Sequence, residues 1–123
     1  MSDNVVVNYK TMASFSPERF TPVPFGQSEH SRALLVCLEP GQFIPVHSPG
    51  VDITFVILEG EGTLVAGDHE LEVGPGALAF AAAGEARGLR ARTRLIAVHV
   101  VAPPPTEEDH TAVMAGLRRG SWR

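Results

Sequence analysis

The chain has 123 residues, 44% of them hydrophobic, with 10 Lys and Arg against 14 Asp and Glu, a formal charge of −4 and a pI near 5.7. That length suits one domain with one core, and the acidic balance argues against a general nucleic-acid binder, whose hold on phosphates rests mainly on Lys and Arg. No stretch approaches the ~20 apolar residues of a membrane helix, the N-terminus lacks the basic, apolar and cleavable order of a secretory signal, and one cysteine excludes an intrachain disulfide, so a cytoplasmic location is the default expectation.

The first 30 residues are the least regular. Val5 to Tyr9 reads as an edge strand able to cover a sheet edge, and Pro17, Pro22 and Pro24 make much of 16–27 a loop or extended arm. Beyond them, runs of Val, Ile, Leu and Phe at 33–39, 53–58, 62–66, 69–73, 77–81, 86–91 and 94–101 are punctuated by Gly, Pro and Asp. Short strands at this spacing predict an all-β antiparallel sandwich or barrel. Cys37, inside an apolar run, reads as a buried inert thiol. Glu59-Gly60-Glu61-Gly62 and Ala66-Gly67-Asp68 read as hairpin turns, with glycine supplying positive φ. Arg90, Arg92 and Arg94 alternate, which puts them on one face, expected to be solvated.

After Val101, Ala102-Pro103-Pro104-Pro105 cannot continue a ladder, so the last strand stops there. Thr106 then reads as an N-cap, with Glu107, Glu108 and Asp109 at the positive end of a helix dipole and Arg118 and Arg119 at the negative end. Val113, Met114 and Leu117 form an apolar stripe. The expectation is a helix over 107–119, packed on the barrel or on a partner subunit.

Strand alternation selects candidate interior residues. Val51, Ile53, Phe55 and Ile57 form one apolar set, whose parity His47 shares if the backbone stays extended through Pro49. Arg87 falls with Leu89 and Ala91 on the less polar face of its strand, and His99 interrupts an otherwise apolar one. A buried polar group without a partner costs about 1–3 kcal/mol. Each of the three therefore needs a core hydrogen bond, an ion pair (Arg87 with Asp52 or a glutamate) or a ligand. His30, His69 and His110 are not favoured as site residues.

The segment 40–60, PGQFIPVHSPGVDITFVILEG, adds a family resemblance. In metal-binding cupins a glycine is followed six residues later by His, then by a second His, a Glu and a closing glycine. Gly41, His47 and Gly60 match, while Pro49 and Ile53 stand at the second His and Glu positions. In LEVGPGALAFAAAGEARGLRA, Gly74, Gly76 and Gly84 match the second motif, Ala82 stands where Pro is common, and Arg87 takes the place of the last His. Over 34–101 the chain resembles small single-domain cupins with a degenerate metal motif. The resemblance implies a cupin-like antiparallel β-barrel, or jelly roll, over 31–102. An N-terminal strand and arm (1–30) would precede it, and a Pro-rich linker with a short C-terminal α-helix (103–123) would follow.

One usual ligand of four remains, so no cofactor is expected; a divalent metal, if bound, would rest on His47 and His99. The resemblance also implies a homodimer and an interior site. In the first functional reading, Arg87 fixes a small anionic ligand, His47 and His99 orient it, and no metal is obligatory. The second is a metal-independent isomerase or epimerase with His47 as base, Asp52 as its partner and Arg87 stabilising an enolate. The third, least supported, is a metal-dependent dioxygenase or isomerase with non-standard ligands.

Overall fold

Alternation sorts the side chains of each strand into an inner and an outer set, and two sheets close over the inner sets. The computed structural model describes residues 5–123; residues 1–4 of the expected arm lie outside them. The strands are β1 (Thr21–Gln27), β2 (Arg32–Leu38), β3 (Phe43–His47), β4 (Asp52–Glu59), β5 (Gly62–Ala66), β6 (His69–Val73), β7 (Leu78–Ala81), β8 (Arg87–Ala91) and β9 (Leu95–Ala102), with helices α1 (Tyr9–Met12) and α2 (Glu107–Arg119). One sheet has the order β1-β2-β9-β4-β7 and the other β3-β8-β5-β6, with antiparallel pairing throughout. This is the all-β jelly roll with a short C-terminal helix that the sequence predicts.

Val36, Leu38, Ile53, Phe55, Ile57 and Leu95 of the first sheet meet Ile44, Leu64, Leu89 and Ala91 of the second in the main core. A smaller cluster lies on the outer face of β2 and β9, where Tyr9, Met12 and Phe15 cover Leu35, Cys37 and Ile96. Cys37 is fully buried there, and burial raises its thiol pKa, in keeping with an inert thiol.

Four local expectations need correction. Val5 to Tyr9 is not a strand: Asn8 caps α1 by accepting a hydrogen bond from Lys10 N, and the chain turns to lay Tyr9 and Met12 on the outer face. Much of 16–27 is expected to be a loop or extended arm; Thr21–Gln27 is extended, and what needs correction is that it pairs in the sheet as β1. Pro22 and Pro24 have the same parity on an edge strand, so both can turn their missing N–H away from β2. β3 is absent from the expected strands because Pro45 interrupts it; there the ladder with β8 shifts register between Ile44 and His47. Glu59 to Gly62 does not form a hairpin. It carries the chain from one sheet to the other, since β4 pairs with β7 and β9 while β5 pairs with β6 and β8. The Gly67 turn does join a hairpin, β5 to β6.

Three devices seat α2. Thr106 and Asp109 form a reciprocal capping box, and Gly120 closes the helix at φ 67°. Gly116 lies against the Pro45 ring, so close that an added Cβ would sit 2.5 Å from Pro45 Cβ. Just past the helix, the Trp122 carbonyl accepts from Val46 N at 2.7 Å. The helix expected over 107–119 is thus docked on β3 of its own chain.

Arg90, Arg92 and Arg94 are exposed, as alternation predicts. Arg92 pairs with Glu61, Arg94 is bidentate to Glu39, and Arg90 stacks over Trp122 at 4.3 Å.

Candidate functional site

Between the sheets and α2 lies a cavity of about 410 Å³ with Leu34, Val36, Ile44, Phe55, Val101 and Met114 in its apolar wall. A cavity of this size and character is of small-molecule scale.

His47, Arg87 and His99 all line it. His47 ends β3 directly opposite Arg87 on β8. The register shift at Pro45 lets Ile44 and His47, of opposite parity, both reach the interior. The expected extended run through Pro49 is therefore not what turns His47 inward. Its Nδ1 lies 2.8 Å from the Pro45 carbonyl, which makes that nitrogen the donor. Burial lowers the His47 pKa and the Arg87 charge adds to this, while the Pro45 carbonyl opposes it.

Arg87 is 1% exposed. Its Nη2 donates to the carbonyls of Ala82 (3.0 Å) and Glu85 (3.1 Å), and Nε donates to Glu85 as well. Nη1 is buried without a partner. The anticipated ion pair with Asp52 is not made, since Asp52 Oδ1 accepts from Ala83 N instead. His99 stands on β9 between Leu34 and Phe55, edge-on to the Phe55 ring with centroids 4.5 Å apart. Its Nε2 has no partner, and burial pushes its pKa down to about 3, helped by His47 and Arg87. It is a neutral imidazole at pH 7.

Arg32, Glu107, Asp109 and His110 also line the cavity and are not among the sequence candidates. The signal for Arg32 is its parity with Leu34 and Val36, obscured because the strand is expected to begin one residue later. For α2 the signal is the apolar stripe of Val113 and Met114, three and four residues after His110 on the same helix face, though the sequence does not say that this face meets the cavity. His30 and His69 are exposed.

The family model for the cupin domain matches residues 34–102. The chain belongs to the cupin family. Among solved structures, this cupin is similar to a Thermus thermophilus protein at 35% identity, covering 80% of this chain and 96% of that one with a TM-score of 0.76. An RmlC-like cupin protein from Desulfovibrio desulfuricans is 30% identical, with 83% and 99% covered and a TM-score of 0.74. A Klebsiella pneumoniae protein with a double-stranded β-helix domain shares the fold at 22% identity, 82% and 91% covered, TM-score 0.74. No curated protein matches the sequence.

The family's usual metal positions fall together: His47, Pro49, Ile53 and Arg87 all line the cavity. One imidazole, two apolar side chains and a permanent cation do not fit a transition metal, which wants three or more protein donors. His99 adds a second imidazole, but no group of three or more His, Cys, Asp or Glu gathers among the described residues.

Proposed function

We propose that this cupin binds a small carboxylate in its interior, with no obligatory metal. The carrying observation is Arg87: a guanidinium that lines an apolar cavity, is anchored through Nε and Nη2, and keeps a buried Nη1 without a protein partner. An unmade hydrogen bond on a buried charged group is costly, and a carboxylate oxygen would remove the deficit with a charge-assisted bond worth about 1.5–3 kcal/mol. Neutral His47 and His99 contribute polar atoms that orient the ligand, and the apolar wall encloses its body. Because the backbone carbonyls hold the fork in place, little is lost in ordering it on binding.

The test is titration calorimetry of short aliphatic carboxylates against wild type and Arg87→Met, with thermal melting to verify that the variant folds. About a tenfold or greater loss of affinity is expected in the variant. Equal affinity in a folded Arg87→Met would remove Arg87 from the site.

One arrangement favours a catalytic version of the same site. His47 lies across the ladder from Arg87 and is kept neutral by burial, so a base and a charge-stabilising cation flank one ligand position. The imagined Asp52 partner is engaged with Ala83, so any such base works with the Pro45 carbonyl behind it rather than with a carboxylate.

A further inference from the structure

Arg32 opens β2 on the inner side with Leu34 and Val36 and lines the same cavity as Arg87, but from the opposite sheet. Its Nε is buried and has no partner among the described residues. Two permanent cations thus line one largely apolar cavity, each with a buried donor unmet by protein. Such groups are retained at least cost when each has its own counter-charge.

The strand register sets their spacing. Arg32 faces Val101, Val101 faces Ile53, and Ile53 faces Ala81. Three interstrand steps of about 4.8 Å separate Arg32 from Ala81 by about 14 Å at backbone level. Arg87 Nη2 is bonded to the carbonyl of Ala82, next after that far end. Arg32 and the Ala82 carbonyl that anchors Arg87 thus lie toward opposite ends of the row in which Ile53 and Val101 sit between them. Glu107 and Asp109 line the cavity from α2; Asp52 and Asp109 favour the Arg87 charge through space, yet neither bonds its unmet Nη1.

We infer that the site selects an extended dianion, a dicarboxylate, with one carboxylate on Arg87 and the other on Arg32. This rests on the carboxylate reading of Arg87 and adds a second anion position to it.

The experiment is calorimetric titration of the full chain with glutarate and adipate, against pentanoate and hexanoate as matched monocarboxylates, in wild type, Arg32→Gln and Arg87→Met. Wild type is expected to hold each dicarboxylate about tenfold or more tightly than its match. Arg32→Gln should erase that preference while weakening the monocarboxylates far less than the dicarboxylates, and Arg87→Met should weaken all four. Should Arg32→Gln melt early, Arg32→Lys, which keeps the charge but not the fork, is expected to retain part of the preference. Equal affinity for the dicarboxylates and their matches, with both lost in Arg87→Met, would overturn the second anion position and leave the carboxylate reading standing. Affinities indifferent to Arg87, or no binding by any of the four, would overturn both.

Discussion

Burial keeps the His99 imidazole neutral, its pKa pushed down to about 3 from the usual 6.5. In the unfolded chain the ring takes up a proton near pH 6.5, and in the native state only near pH 3. Across that window the unfolded state binds more protons, so stability falls as pH drops from about 6.5 toward 3. At pH 5 the loss attributable to this ring is about 2 kcal/mol, at 1.36 kcal/mol per pH unit. Urea unfolding at about pH 7.5 and pH 5 should therefore show a markedly smaller loss in His99→Gln than in wild type. An equal loss would place the acid sensitivity elsewhere. His47, also lowered by burial, adds to the effect in the same direction. His99 was legible in the sequence because one polar residue broke an apolar strand, and Arg87 because it stood at a family position with inward parity. Arg32 was not legible, because strand ends are weakly marked in sequence and a flanking arginine is ordinarily solvated.

At the scale of elements, α2 was predicted to the residue, since its cap, first-turn acids and terminal basic pair act within a few positions of one another. Its docking is a separate matter and hangs on Gly116. Gly116→Ala raises intrinsic helix propensity by about 1 kcal/mol, yet the new Cβ would meet Pro45 Cβ at 2.5 Å and Cγ at 2.7 Å. The variant should shift α2 off β3, red-shift emission from Trp122, the single tryptophan, and speed proteolysis after residue 103, with the barrel still folded. Unchanged emission together with greater stability would mean that the helix does not need this close approach. β1 and β3 escaped the sequence for a shared reason. Proline is a strand breaker in local terms, and only an edge position or a shifted register makes it compatible with a ladder.

For the whole molecule, the outer side of β7 presents Leu78 and Phe80 at 74% and 59% exposure beside Val56 and Thr54 of β4. Scattered exposed apolar residues are ordinary, but two alternating on an edge strand fit a face covered by a second copy. Native mass spectrometry of untagged protein tests this together with metal independence. The expected species has twice the 13.1 kDa chain mass and no transition metal. A monomer at micromolar concentration would discard the dimer, and about one metal ion per chain would overturn metal independence, its loss in His47→Ala assigning the ion to this cavity.

The sequence by itself determined the strand-rich class, most strand positions, the C-terminal helix and three of the cavity-lining polar residues. Alternation, turn glycines and helix caps are short-range effects that a chain carries wherever it is placed. Only the tertiary structure decided that the chain passes from one sheet to the other at Gly60, that Pro22, Pro24 and Pro45 belong to strands, and that Arg32 shares a cavity with Arg87. Those outcomes depend on pairings between distant segments, such as β2 and β4 on either side of β9. Gly60 shows the limit well: its glycine was read as turn chemistry, while the space that excludes a side chain there is set by the Arg94 carbonyl, a neighbour that only folding supplies.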